Sequence, residues 1–145
     1  MKALLQRVAE AAVAVDGREV GRIGPGLLVF LGLDRGDDPA VGERLLDRVL
    51  RYRVFADGDG RMNRSVVDSG GGVLLVSQFT LSADTGRGLR PSFSSALPPA
   101  EAEALYGDLL AWLQDRHQPV AAGAFGADMQ VSLVNDGPVT FLLAS

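Results

Sequence analysis

The sequence predicts an α/β fold: a single domain, residues 1–145, in which a mixed β-sheet or partial barrel of short strands carries two main helices packed on it. Three observations predict it. The chain has 145 residues, 47% of them hydrophobic, which is one domain's worth and enough to bury a core. Strand-like and helix-like segments alternate between Gly-rich turns, with no internal repeat, low-complexity tract or linker. Only two stretches carry helical periodicity, too few to build a doubly wound sheet.

Met1 to Val8 and Ala11 to Val15 read as strands, with Asp16-Gly17 as a turn after the second. Glu19 to Ile23 is a short third strand. Gly24-Pro25-Gly26 punctuates the chain before Leu27 to Leu33, which is apolar on both faces and therefore a buried central strand. Asp38-Pro39 signals a helix start, a capping Asp followed by Pro. That helix runs to about Leu50, with Val41, Leu45, Leu46 and Val49 on one apolar face. Arg51 to Phe55 looks like a strand, Asp57 to Gly60 a loop, and Gly70-Gly71-Gly72 a sharp break. Val73 to Leu81 follows as a strand, apolar at first and then abruptly polar. Asp84 to Pro99, rich in Gly, Ser, Pro and Arg, reads as a long ordered loop of the kind that often carries function. Pro98-Pro99 opens a second helix over Ala100 to Arg116, with Ala102, Leu105, Tyr106, Leu109 and Leu113 as its apolar face. Val120 to Ala124, Met129 to Val134 and Val139 to Leu143 are the final strands.

Composition excludes several chemistries. There is no cysteine and one histidine, His117, so a disulfide scaffold, a thiol nucleophile, a Cys-based metal site and a His-rich metal site are all ruled out within one chain. No metal or other cofactor is expected. The charge is 14 − 18 = −4, which argues against coating nucleic acid by bulk charge but leaves room for local basic patches. Residues 1–65 carry 11 − 10 = +1 and residues 66–145 carry 3 − 8 = −5. The N-terminus lacks the apolar core of a signal peptide, and Leu27 to Leu33 is far too short to span a bilayer. The expectation is a soluble cytoplasmic protein.

Two segments could carry chemistry. Ser77-Gln78-Phe79-Thr80 brings three hydrogen-bonding side chains into an apolar strand, where burial costs energy unless they find partners. This is either a strand leaving the core at a sheet edge or a site at the strand's end. In the second case Ser77 or Thr80 acts as nucleophile or positions a substrate, and backbone amides hold an oxyanion. Asn135-Asp136-Gly137-Pro138-Val139-Thr140 is a turn signal whose bland reading is a hairpin. A Gly-Pro bond can also be cis at modest cost. Arg44, Arg48 and Arg51 lie at i, i+4 and i+7 on the first helix. They are either phosphate contacts or a solvated face with Asp47 and Arg51 paired. Arg87 and Arg90, in the long loop, have a comparable claim. His117 reads as a helix C-terminal residue interacting with the dipole.

Taken together, Ser77-Gln78-Phe79-Thr80-Leu81 and Asn135-Asp136-Gly137-Pro138-Val139-Thr140 resemble the two signature motifs of the D-aminoacyl-tRNA deacylases. Met1 to Val8, Gly26-Leu27-Leu28-Val29, Arg61-Met62-Asn63, Arg90-Pro91-Ser92-Phe93 and Gly126-Ala127-Asp128-Met129 are similar to the same family, in order along the whole chain. The resemblance implies an esterase that removes a D-amino acid, or glycine, from the 3′-terminal adenosine of tRNA. It implies a homodimer with two sites at the interface. In each, Ser77, Gln78, Phe79 and Thr80 form the pocket floor, while Gly137-Pro138, with its peptide bond cis, enters from the partner chain and rejects L-residues. Met129 and Phe125, Gly126 and Ala127 are implied as walls, Arg7 as the residue holding the Gly-Pro turn, and Asn135 as part of that turn's motif. It further implies backbone amides at Phe79 and Thr80 for the oxyanion and the adenosine 2′-hydroxyl for activating water. Thr80 is then expected to position the adenosine or stabilise the strand rather than attack. Two other readings compete: a binding module that grips an adenosine without turnover, and a metabolic hydrolase using Thr80 or Ser77 with His117.

Overall fold

The computed structural model describes residues 1–145. Strand β1 (Lys2–Val15) turns into β2 (Arg18–Ile23) through Asp16 and Gly17, both at positive φ, 50° and 76°. That is the backbone a tight hairpin requires and that Asp and Gly tolerate. Next come β3 (Gly26–Gly32), α1 (Pro39–Arg51), β4 (Phe55–Ala56), β5 (Met62–Arg64), α2 (Val66–Ser69) and β6 (Gly72–Ser77). A 3-10 turn (Phe79–Ser82), α3 (Pro99–Arg116), β7 (Val120–Ala122) and β8 (Gln130–Ala144) complete the chain.

The mixed sheet runs β2-β1-β3-β6-β7, and β8 also pairs with β1. β1 binds β3 through its first half and β2 through its second, while β8 follows it along both halves. The sheet curls until β2 approaches β7. A Cβ added at Gly21 would lie 2.5 Å from the Ala122 carbonyl oxygen, so the barrel is nearly closed.

β3 and β6 are parallel neighbours, Gly26 opposite Gly72 through Leu31 opposite Ser77, and both of their faces are covered. Leu27, Val29, Leu31, Val73 and Leu75 join the main core with Leu45, Leu46 and Val49 of α1 and Leu105, Leu109 and Leu113 of α3. Leu28, Leu74 and Val76 point the other way, into a smaller core with Val8, Val13 and Ile23. This explains why Leu27 to Leu33 reads as an uninterrupted apolar run. Asp38 caps α1 as expected, its carboxylate accepting from the Val41 amide at 2.8 Å. All five apolar residues expected on α3 are buried.

Several expectations are corrected. β1 is one continuous strand, not two. Its pairing with β8 shifts between Val8 and Glu10, and Ala9 and Glu10 turn outward there, which breaks the apolar pattern without breaking the strand. β8 is likewise one strand where two were expected. Arg51 to Phe55 is not a strand: Arg51 ends α1, and only Phe55 and Ala56 pair, with β5. β7 ends at Ala122. The strand expected to reach Leu81 stops at Ser77, and the chain winds into the 3-10 turn. The short helix α2, with a reciprocal capping box between Ser65 and Asp68, was not anticipated.

The link from β3 to α1 is fixed by charge. The buried Met1 ammonium lies 2.9 Å from Asp34 and 3.0 Å from Asp37. Burial opposes ionisation of Asp34, but the Ser82 hydroxyl, this ammonium and Lys2 outweigh it and hold the carboxyl below its ordinary range.

Candidate active site at the carboxyl ends of β3 and β6

Parallel strands open a crevice at their carboxyl ends, and here that crevice is a cavity of about 680 Å³. Leu31, Val76, Ser77 and Gln78 form its floor, Phe79 and Phe93 one wall, and the start of α3 at Pro99 and Ala102 another. Phe125, Gly126, Ala127 and Met129 close the remaining side.

The floor is held in place by backbone contacts. The Gln78 amide donates to the Leu31 carbonyl at 2.8 Å, continuing the β3–β6 ladder one residue past the strand. The 3-10 turn then folds over Gly32. The Ser82 hydroxyl donates to the Leu33 carbonyl at 3.3 Å and Lys2 Nζ to the Leu81 carbonyl at 3.1 Å. Leu81 N is bonded back to Gln78 O at 3.2 Å. The amides of Phe79 and Thr80 open the turn, where a 3-10 helix offers them no acceptor of its own.

The walls are aromatic. Phe79, 59% exposed, packs against Phe93 in a tilted contact with ring centroids 5.0 Å apart. Phe125 packs on Tyr106 at 5.7 Å. The Tyr106 hydroxyl, whose pKa burial pushes well above its usual value, donates to the Leu75 carbonyl at 2.8 Å. Tyr106 thereby fastens α3 and the Phe125 wall to β6, two residues before Ser77.

Of the expected site residues, Ser77, Gln78, Phe79, Phe125, Gly126, Ala127 and Met129 meet at this cavity. Thr80 is next to it but does not line it. Its hydroxyl accepts from Gln78 Nε2 at 2.5 Å. Gly137, Pro138, Arg7 and Asn135 do not reach the cavity of their own chain. In β8, Thr140 pairs with Gln6 and Asn135 with Val8, so the residues from Asp136 to Val139 stand opposite Arg7 alone and bulge out of the sheet. Gly137-Pro138 is cis, and Gly137 has φ 137°, a backbone that L side chains avoid. Arg7 clamps the bulge: Nε donates to the Asp136 carbonyl at 3.0 Å and Nη1 to the Val54 carbonyl at 2.6 Å. Asn135 Oδ1 accepts from the Val139 amide at 3.0 Å, and its amide nitrogen donates to Thr140 at 3.0 Å. A second cis bond, Gln118-Pro119, follows α3.

The arginine stripe on α1 divides. Arg51 pairs with Asp47. Arg48 donates to the Ala144 carbonyl at 3.3 Å and lies 5.8 Å from the centre of the Tyr52 ring. Arg44 is exposed. Arg87 and Arg90 are exposed in the long loop, which a bridge between Asp84 and Ser92 cinches at its base. His117 is the C-cap residue of α3. Nε2 donates to the buried Gly71 carbonyl at 2.8 Å, so it ties α3 to the start of β6, and it does not line the cavity. His117 thus sits at the end of α3 as expected, and this tether is a contact the sequence did not predict.

Arg35, Phe93 and Ala102 also line the cavity and were not among the site residues expected from the sequence. Ala102 was visible only as a core position of α3. Phe93 was visible only within the Arg90-Pro91-Ser92-Phe93 resemblance, and Arg35 has no sequence signal, because two loops far apart in the chain bring them there. Among the lining residues the polar side chains are Arg35, Ser77 and Gln78, with no carboxylate or imidazole. Side-chain acid–base catalysis by a triad therefore has no base here. The arrangement offers instead free backbone amides, an apolar aromatic enclosure and one cation.

The profile of a family described as D-Tyr-tRNA(Tyr) deacylase matches residues 4–144. A D-aminoacyl-tRNA deacylase of Azotobacter vinelandii is 64% identical over 143 residues, 99% of this chain and 99% of its own. One from Stutzerimonas stutzeri is 63% identical over 145 residues, 100% of both chains. A solved structure described as c-Myc DNA Unwinding Element Binding Protein superposes with a TM-score of 0.95 at 40% identity, covering 100% of this chain and 99% of its own.

Proposed function

Because the chain belongs to the D-Tyr-tRNA(Tyr) deacylase family and is a hydrolase of the aminoacyl-tRNA ester, we propose a chirality-checking esterase that works through backbone groups. It releases D-amino acids, and glycine, from tRNA and spares L-aminoacyl-tRNA. The observation that carries this reading is a cavity with no carboxylate or imidazole in its lining, beside a 3-10 turn whose first amides, at Phe79 and Thr80, are free.

The aminoacylated adenosine enters the aromatic enclosure, and the ester carbonyl rests on the 3-10 turn. Water adds to the carbonyl carbon, and the developing oxyanion takes hydrogen bonds from the Phe79 and Thr80 amides. The carbon–oxygen bond to the ribose then breaks, leaving the free amino acid and the ribose hydroxyl. The adjacent 2′-hydroxyl of the substrate activates the water, which suits a site without a side-chain base. Ser77 and Gln78 orient the ester, and Thr80 braces Gln78.

Enantiomers carry the same groups, so discrimination must be geometric. Gly137 and Pro138 supply it from a second copy of the chain: the carbonyls of the turn fix the α-amino group, and an L side chain collides with the turn. Glycine has nothing to collide and passes. Three features support a homodimer. The turn does not line the cavity of its own chain, Arg7 and Asn135 hold it rigid, and Val134, Phe141 and Leu142 on the same strand expose apolar surface. A tRNA substrate supports a cytoplasmic setting. Arg44, Arg87 and Arg90, exposed and without a side-chain partner in the chain, are the cations proposed to meet tRNA outside the cavity, with Arg48 and Arg51 as weaker contributors.

Release of amino acid from D-aminoacyl-tRNA in single-turnover reactions, beside a panel of small amino-acid esters, tests the function. The expected result is rapid release from tRNA. Binding without release would indicate a binding module. Preference for small esters, abolished in His117→Ala, would indicate a metabolic hydrolase.

A further inference from the structure

We propose that Arg35 binds a backbone phosphate of the single-stranded tRNA 3′ end and so seats the terminal nucleotide in the cavity. This rests on the deacylase reading and adds a substrate contact to it. Arg35 is the only charged residue lining the cavity. It is fixed rather than floppy: Nε donates to the Ser94 carbonyl at 2.7 Å, and its backbone amide donates to the Ser95 carbonyl at 2.9 Å. With Nε engaged, the two terminal nitrogens of the fork are left without a partner in the chain. That half of a guanidinium matches the paired oxygens of a phosphodiester.

Its charge is not cancelled locally. Asp34 and Asp37 flank Arg35 in sequence, but the Met1 ammonium pairs with both, at 2.9 and 3.0 Å, and Lys2 Nζ lies 3.8 Å from Asp34, so two other cations balance the two carboxylates. The cavity also meets the first turn of α3 at Pro99 and Ala102, the positive end of that helix dipole. An acidic protein thus presents a positive spot where a polyanion must bring its last nucleotide, while the reacting end remains among apolar walls.

The test compares two substrates, D-aminoacyl-tRNA and a D-aminoacyl-adenosine that has no phosphate. Arg35→Gln should raise KM for the tRNA about tenfold with kcat little changed, the size of one charge-assisted contact. Its log affinity should fall less steeply with log salt, by about 0.7 in slope for one single-strand phosphate. Hydrolysis of the adenosine substrate should be unchanged, and Arg35→Lys should restore the salt slope. Equal impairment on both substrates would overturn the proposal in favour of a loop-bracing role through Ser94. An unchanged KM and slope on tRNA would overturn it outright. Wild-type protein that hydrolyses neither substrate would instead overturn the functional reading on which the proposal rests.

Discussion

Gly32→Ala tests whether the 3-10 turn over β3 sets the catalytic geometry. A Cβ at Gly32 would sit 2.8 Å from Leu81 Cβ, 3.2 Å from the Gln78 carbonyl oxygen and 3.4 Å from Ser82 Oγ. Carbon atoms pack at about 3.5–4.0 Å, so the turn must retreat by roughly 1 Å. No rotamer change relieves the clash, because Leu81 Cβ and the Gln78 carbonyl are tied to the backbone. The retreat strains the Ser82–Leu33 and Lys2–Leu81 hydrogen bonds and moves the Phe79 and Thr80 amides with it. Overpacking of this kind costs about 1–3 kcal/mol of stability, and a misplacement of about 1 Å can lower the rate about 10²-fold. Urea titration would measure the first effect and single-turnover hydrolysis of D-aminoacyl-tRNA the second. Gly58→Ala, where an added Cβ meets nothing within 4 Å, is the control and should change neither. A Gly32→Ala protein with wild-type rate and a stability change below about 0.5 kcal/mol would refute the role given to the turn.

Thr80→Ala should slow single-turnover hydrolysis by less than roughly tenfold, below the ~10²–10⁴-fold loss of an acid–base group. A folded, substrate-binding variant with no activity would place the hydroxyl in the chemistry, and Thr80→Ser would then test a covalent role. His117→Ala leaves the buried Gly71 carbonyl unsatisfied and should cost about 1–3 kcal/mol in urea titration, with the pH–rate profile unchanged; a lost pH limb would contradict this. Asp34→Asn should lower stability at neutral pH by on the order of 1 kcal/mol. The folded pKa of Asp34 is depressed, so its contribution is present above the unfolded carboxylate value of about 3.9 and is lost as pH falls through the folded value. Melting curves of wild type and variant should therefore converge in acid, and a constant difference down to the lowest pH would show that Asp34 is not the source.

The elements easiest to read from the letters were those buried in a regular pattern. The apolar face of α3 repeats from Ala102 to Leu113, and β3 is apolar on both faces because cores lie on both sides of it. Harder to read was anything decided by contact between distant segments. Phe79 to Leu81 keeps a strand-like composition, yet the chain turns there because Gly32 leaves space for it across the neighbouring strand. The bulge between Val8 and Glu10 disrupts the side-chain alternation of β1 while its backbone pairing continues. The capping box of α2 was present in Ser65 and Asp68, but four residues carry no helical period. The polar break at Ser77 to Thr80 was legible as one of two alternatives, a sheet edge or a site, and the role of the Asn135 to Thr140 turn only as a resemblance. Ser77 to Phe79 and Phe125 to Met129 converge through the topology of the sheet, and Arg35 joins them because the loop after β3 is bonded to the loop before α3. No local pattern encodes that meeting.

The most direct measurement is the ratio of deacylation rates for one D-amino acid and its L-enantiomer on the same tRNA, with glycyl-tRNA as a third arm. A steric filter built from Gly137 and Pro138 predicts fast release of the D-residue, measurable release of glycine and almost none of the L-residue. Comparable rates for the D- and L-residues would contradict it, as would an L-residue released faster than glycine.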